Sequence, residues 1–344
     1  MTQLRSLGLE ADLSDKKFSL RLLDQTLLPH QEKWLTIETN EQMIEAIQSL
    51  RVRGAPLIGV AASLMIAQCA AVGDSSEILL KKAKALYEAR PTAVNLMICV
   101  DRMTAVIKKS QSAAAQLKES LIFEAIEIFN EDVALCERMA VNGAELIRDG
   151  DQILTHCNTG GLATAGVGTA LGVIRRAHEQ GKRIHVYVDE TRPLLQGARL
   201  TAWELKKLNI PCTLITDNMA AHLMSLKKIT KAIVGSDRIA VNGDFANKIG
   251  TYSVAVNCHY HRIPFFVAAP YTTVDPSCES GLQIPIEQRS PQEVLGYSGQ
   301  LWAPDGVTVY NPAFDVTPAE LVSAWVLDKA VYTKKDIEKG VLKS

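Results

Sequence analysis

From Asp151 onward the chain alternates short, almost wholly apolar runs with helical stretches, and this rhythm restricts the possible fold more than any other feature. The runs are Ile153 to Cys157, Ile184 to Glu190, Cys212 to Asn218, Lys231 to Asp237, Pro264 to Ala269 and Val307 to Asn311. A strand with one wet face alternates apolar and polar residues, whereas one that is apolar throughout is covered on both faces, with the intervening helices as the cover. The expectation is an α/β fold with a Rossmann-like, doubly wound and mostly parallel sheet over residues 136–344. The runs end on Cys157, Asp189 with Glu190, Asp217 with Asn218, Asp237 and Asn311. Open parallel sheets bind ligands beyond the carboxyl ends of their strands, so these polar groups collect where a site is expected.

Residues 1–135 read as a smaller, mainly helical domain. Glu41 to Leu50, Pro56 to Ala71, Ser75 to Ala89, Thr92 to Lys109 and Ala113 to Ile147 space their apolar residues by threes and fours, and the domain boundary falls in or near the last of these. Phe18 to Leu28 alternates in part and is closed by Pro29, which suits a short strand pair. The most apolar span, Gly54 to Gly73, approaches membrane length but is rich in Ala and Gly and carries Ser63 and Gln68, so it reads as a buried helix. A net charge of -1 gives no attraction to nucleic acid or to a membrane surface. The seven cysteines lack the paired spacings of a disulfide scaffold or a zinc site. With no signal-peptide pattern at the N-terminus, reduced thiols and a cytoplasmic location are expected. Tyr271 to Gly306 has no clear element of its own, and loops of that length are often functional.

Thr155 to Gly172 reads as a strand, a glycine-rich turn and a helix start, an arrangement in which backbone N–H groups can face an anion. Its glycines at 160, 161, 166, 168 and 172 do not match the dinucleotide fingerprint. Cys157 is either a reactive thiol stabilised by a helix dipole or a buried structural cysteine. His156, its neighbour on a strand, points to the opposite face and reads as a packed histidine. Asp237 precedes Arg238, and is either a carboxyl sealed among apolar strands that holds a proton or a partner for that arginine or a helix end. Cys258-His259-Tyr260-His261 is the densest group of metal-ligand types but lies before a strand, at the amino edge away from the crevice, so no metal is expected. Arg53 and Arg90 stand before helices with proline in the first turn, and Lys248 follows Asn247 at an expected helix start. If the domains fold over one another, these three cations cradle a phosphate, with Gln196 adding a neutral contact.

Several motifs occur in order: Asp24-Gln25-Thr26-Leu27-Leu28-Pro29, Arg53-Gly54-Ala55-Pro56, Arg90-Pro91-Thr92-Ala93-Val94-Asn95, Thr155-His156-Cys157-Asn158-Thr159-Gly160, Asp189-Glu190-Thr191-Arg192-Pro193 through Gln196-Gly197, Asp237-Arg238-Ile239, and Asn247-Lys248-Ile249-Gly250-Thr251-Tyr252. Together they resemble the methylthioribose-1-phosphate isomerase family, which is related to ribose-1,5-bisphosphate isomerases and to non-enzymatic regulatory subunits of a translation-initiation exchange factor. The resemblance implies an aldose-ketose isomerase of methionine salvage that needs no cofactor, acts on a small phosphorylated sugar and forms a homodimer. It implies Cys157 and Asp237 as the catalytic pair, with Arg53, Gly54, Ala55, Arg90, Gln196, Asn247 and Lys248 contacting substrate. Gly161, Val167 and Ser236 depart from the family pattern. Ser236 stands where it can hydrogen-bond near Asp237.

Overall fold

The computed structural model describes residues 2–14, 17–90, 93–109 and 114–343. It forms two compact units, Met1–Glu137 with Gly160–Gly168, and Arg138–Thr159 with Thr169–Ser344. The chain therefore leaves the second unit between Thr159 and Gly160 and re-enters it between Gly168 and Thr169.

The first unit opens with a four-stranded antiparallel sheet, β1 (Gln3–Arg5), β2 (Leu9–Ser14), β3 (Lys17–Leu23) and β4 (Trp34–Ile37), in that order, where the sequence suggested only a strand pair. Leu9 pairs with Leu22 and Ala11 with Leu20, and all four side chains enter the core, so alternate positions supply the buried face. The helices follow: α1 (Asn40–Gln48), α2 (Ala55–Ala71), α3 (Ser76–Glu88), α4 (Val94–Lys109) and α5 (Ala114–Ala144). A capping box opens α1, in which Thr39 Oγ1 accepts from the Gln42 N–H and Gln42 Oε1 from the Thr39 N–H, both at 3.2 Å. Helix α2 is buried on every side from Leu57 to Ala70, with α1, α3 and α4 packed around it. Its lack of polarity is that of a central core helix, and among the described residues no helix is long and apolar enough to cross a membrane. Pro91 and Thr92, counted above at the start of α4, lie outside the described residues.

The second unit is built on β5 (Gln152–Thr155), β6 (His185–Asp189), β7 (Cys212–Ile215), β8 (Lys231–Val234), β9 (Arg238–Ala240), β10 (Phe245–Lys248), β11 (Phe265–Ala268), β12 (Val274–Asp275), β13 (Gly296–Tyr297), β14 (Gln300–Leu301), β15 (Phe314–Thr317), β16 (Ala324–Val326) and β17 (Val331–Tyr332). The main sheet runs β17-β16-β11-β8-β5-β6-β7 and is parallel except at β17. Successive residues feed opposite faces: Ile153, Ile233 and Phe266 enter one hydrophobic cluster, while Leu154, Ala232, Val234, Phe265 and Val267 enter the other. Helix α6 (Ala170–Glu179) covers the first face, and α8 (Met219–Ser225) and α9 (Thr251–His261) the second, while α7 (Ala202–Lys207) packs beside β7. A smaller sheet, β12-β9-β10-β15, sits at the carboxyl side of β8 in sequence. The run Val307 to Asn311 forms no strand. Asn311 is buried and donates from Nδ2 to the Ser290 carbonyl and the Glu293 carboxylate, so it braces the long excursion after β11 instead of ending a sheet strand.

Candidate active site

The strand order decides where a ligand can enter. From β5 the chain winds outward through β6 to β7, then returns to place β8 on the other side of β5. The crevice between β5 and β8 is thus the switch point of a doubly wound sheet, where the loops leaving neighbouring strands diverge. Cys157 follows β5 by two residues and Asp237 follows β8 by three. The two strand ends are joined by Thr155 Oγ1, which donates to the Ile233 carbonyl at 2.9 Å.

Cys157 does not continue the strand. Its φ of 65° is left-handed, uncommon for a residue with a side chain, and the surroundings impose it. Its N–H donates to Thr191 Oγ1 at 2.8 Å, and its carbonyl accepts from Thr201 Oγ1 at 2.6 Å. Thr191 is held in turn, with its hydroxyl on the Asp189 carbonyl and its N–H on Asp217 Oδ1. Asn158 donates from Nδ2 to Glu204 Oε1 at 2.7 Å. The thiol is only 5% exposed, on a backbone fixed from three sides.

Much of the glycine-rich turn is tied to the protein itself. The Thr169 N–H goes to the Thr159 carbonyl and the Leu171 N–H to Thr159 Oγ1, so Thr159 caps α6. Residues 160–168 belong to the first unit: Gln25 Nε2 donates to the Leu162 carbonyl, the Leu57 N–H to the Ala163 carbonyl, and the Ala165 N–H to Asp132 Oδ2 at 2.6 Å. Gly54 meets the same segment. A Cβ there would lie 2.4 Å from the Ala163 Cα, and the φ of 93° already requires glycine. Arg53, half-buried, precedes α2, with Ala55 as the first residue of that helix, and half-buried Arg90 lies between α3 and α4. These four residues are placed within the first unit. Cys157, Asp237, Gln196, Asn247 and Lys248 are placed within the second.

Asp237 opens the β8–β9 turn, its N–H on the Ala246 carbonyl at 2.9 Å. The neighbouring Arg238 reaches Asp275 at 3.2 Å, and the Ser236 hydroxyl donates toward the Arg238 and Ala246 carbonyls, which brace the β9–β10 hairpin. Asn247 and Lys248 end β10 and do not begin a helix. Asn247 donates to Thr251 Oγ1 at 2.9 Å, and Lys248 Nζ lies 2.8 Å from the Ala313 carbonyl and 4.6 Å from the centre of the Phe314 ring. Gln196 is buried, and its Oε1 has no hydrogen-bond partner among the described residues.

His156 holds more than the packing role its position suggests. The ring is 1% exposed, with Nδ1 2.9 Å from Asp189 Oδ2 and Nε2 2.9 Å from the Ile249 carbonyl. A carbonyl only accepts, so Nε2 carries a hydrogen. Burial opposes a second proton on the ring, but the hydrogen bond to Asp189 and the charges of Asp189 and Asp217 outweigh it and raise the pKa of His156. Burial likewise raises Asp189, against the pull of the imidazolium. His156, Asp189 and Asp217 are the one group of metal-ligand types that converges among the described residues. Its donors already serve the protein, since Asp217 accepts the N–H groups of Thr191 and Arg192 at 2.7 Å each. The Cys258-His259-Tyr260-His261 run lies at the end of α9, with Cys258 buried in the core. Thr201 and Asp132 carried no signal in the sequence beyond polarity, while Asp217 stood out at a strand end and Thr191 in a motif without showing which groups they hold, because these roles depend on loops from other strands.

This is a switch-point site of a doubly wound α/β protein, with a constrained cysteine and an aspartate on adjacent strand ends. Residues 51–334 match the initiation factor 2 subunit family, and the chain belongs to that family. It is 55% identical over 325 residues to the methylthioribose-1-phosphate isomerase of Cronobacter sakazakii, covering 93% of this chain and 94% of that protein. The enzyme of that name from Yersinia pestis is 55% identical, over 93% of this chain and 92% of its own. Among solved structures, 5-methylthioribose 1-phosphate isomerase from Pyrococcus horikoshii is similar with a TM-score of 0.88 and 42% identity, covering 96% and 95% of the two chains. A protein from A. fulgidus described as translation initiation factor eIF-2B, subunit delta, gives a TM-score of 0.86 and 41% identity over 99% and 100%.

Proposed function

We propose that the chain is an intramolecular oxidoreductase that converts 5-methylthioribose 1-phosphate to 5-methylthioribulose 1-phosphate in methionine salvage. The observation that carries this reading is the placement of Cys157 and Asp237 after β5 and β8, the two strands that flank the switch point. The near full-length likeness to proteins named for that reaction supports it. Arg53, Gly54, Ala55, Arg90, Gln196, Asn247 and Lys248 are the substrate-contacting set, with the cations on the phosphate and Gln196 on a sugar hydroxyl. The protein works as a cytoplasmic homodimer.

An anomeric phosphate blocks the simple ring opening of a free sugar. In its acid form Asp237 gives a proton to the ring oxygen as the C1–O bond breaks, leaving C1 electron-poor. In one route hydrogen moves from C2 to C1 with its electron pair, and the C2 hydroxyl gives its proton to the Asp237 carboxylate as the carbonyl forms. In the other, Cys157 as thiolate takes the C2 proton and the electron pair forms an enediol; the thiol then gives a proton to C1 as the C2 hydroxyl gives its own to the Asp237 carboxylate and the carbonyl forms. C1 is reduced and C2 oxidised in both, so no outside electron acceptor is needed.

Turnover of purified 5-methylthioribose 1-phosphate, with ribose 1,5-bisphosphate as the competing substrate, tests the assignment. The expected outcome is conversion of the methylthio sugar, lowered by roughly 100-fold or more in Cys157→Ser and in Asp237→Asn. Full turnover by either variant overturns the catalytic pair. No turnover by the intact protein returns the chain to a binding role. In deuterated water, substantial deuterium at C1 of the product overturns a purely hydride route.

A further inference from the structure

Cys157 and the Asn247–Lys248 pair reach the site from different sheets. Cys157 follows β5 of the main sheet, whereas Asn247 and Lys248 end β10, whose hydrogen-bonded neighbours are β9 and β15 of the small sheet. No ladder joins β5 to β10; the Asp237 N–H on the Ala246 carbonyl ties β10 to the end of β8, and a direct connection from the end of β5 to the end of β10 comes from side chains. His156 makes that connection. Its backbone sits between Thr155 at the end of β5 and Cys157, its Nδ1 is anchored on Asp189 at the end of β6, and its Nε2 donates to the carbonyl of Ile249, the residue after Lys248. The partner backbone is shaped for this approach. Gly250 has a φ of 104°, and a Cβ there would lie 2.8 Å from His156 Cε1 and 2.9 Å from Nε2, so only glycine lets the turn come so close. Asp315 fixes the same turn from the far side, accepting the N–H groups of Gly250 at 2.7 Å and Tyr252 at 3.1 Å. The arrangement costs something: Asp189 Oδ1 is buried without a hydrogen-bond partner, and burying an ion pair is seldom a net gain in stability. An apolar side chain at 156 makes no link and leaves the Asp189 carboxylate buried without its partner.

We infer that His156 is a positioning residue whose doubly hydrogen-bonded ring holds the Asn247–Lys248 end of β10 at a set distance from Cys157, and so fixes the phosphate end of the substrate relative to the reacting carbons. The inference rests on the reading of the site given under Proposed function. Misplacement by about 1 Å of a group that grips substrate is enough to cost binding and rate.

The two ring bonds can be separated by amide side chains, because an asparagine nitrogen takes the place of Nδ1 and a glutamine nitrogen that of Nε2. His156→Asn keeps a donor for Asp189 and loses the reach to Ile249; His156→Gln keeps the bond to Ile249. Steady-state kinetics with 5-methylthioribose 1-phosphate should give a KM for His156→Asn about tenfold or more above that of His156→Gln, with a kcat no higher than that of His156→Gln. A purely structural role lowers the melting temperature and the active fraction of both variants and leaves KM unchanged. A KM difference below that size overturns the inference. If His156→Asn does not fold, Gly250→Ala takes its place, since its Cβ would meet His156 Cε1 at 2.8 Å and push the turn from the ring: a KM about tenfold or more above that of the unmodified protein supports the link, and a smaller rise overturns it. Cys157→Ser, measured alongside, separates this result from the reading beneath it, since full turnover there rejects the site itself whatever the histidine variants do.

Discussion

Asp132 illustrates how burial and function diverge for a single carboxyl. It sits on α5 inside the first unit and accepts the Ala165 N–H at 2.6 Å, holding the segment that carries Leu162 and Ala163. Burial raises its pKa to about 6, against the downward pull of the Ala165 and Gly166 N–H groups. The sign of the pH effect follows. Unfolded, the group loses its proton near pH 4; folded, it keeps the proton until about pH 6. Between those values the native state binds more protons, so stability falls as pH rises, by roughly 3 kcal/mol for this group alone. Asp132→Asn removes the titration while leaving an amide oxygen to accept one N–H. Denaturant unfolding of both proteins from pH 4 to 7 should show the unmodified protein losing stability relative to the variant across pH 4 to 6. A constant difference between the two curves refutes the assignment. The same residue shows the limit of reading a chain in one dimension: Asp132 looks like any acidic position on an amphipathic helix, and its partners lie 33 residues away.

At the scale of elements, periodicity worked where the element supplied its own reason. Nearly continuous apolar runs foretold β5, β6, β7, β8 and β11, and apolar residues spaced by threes and fours foretold the helices of the first unit. It failed where pairing came from elsewhere. Val307 to Asn311 has a strand's composition but no partner in the sheet, while β15 and β16 follow it. Lys248 reads as a helix start because Gly250 and Thr251 follow, yet β10 needs it to pair with Phe314. Helix α5 offers a test of propensity against packing. An exposed Gly to Ala change inside a helix gains about 1 kcal/mol. At Gly143, however, a new Cβ would lie 2.4 Å from Val173 Cγ2 and 2.9 Å from Val326 Cγ1. Overpacking of that kind costs about 1–3 kcal/mol and outweighs the gain. Gly143→Ala should therefore lower the melting temperature, and a rise would show that α5 and α6 can part without loss.

Across the whole molecule, charge, cysteine spacing and motif order were legible because they need no neighbours. A net charge of -1 and a proposed phosphate-binding set confined to a few positions fit one small anion, not a polyanion. The proposed homodimer is checked by sedimentation equilibrium: twice the 37.6 kDa chain mass is expected, and a monomer at enzyme concentrations used for turnover overturns it. What the amino-acid sequence determined by itself was the doubly wound class, the mainly helical first unit and the place of Cys157 and Asp237 at strand ends, since each is written in local periodicity or in contiguous motifs. What only the tertiary structure decided was how those groups are held. The left-handed turn at Cys157 depends on Thr191 and Thr201, the segment 160–168 is taken into the first unit by Gln25, Leu57 and Asp132, and His156 bridges two sheets. The physical reason is the same in each case. A hydrogen bond between residues tens of positions apart is specified by where the strands end in space, and no local pattern of side chains records it.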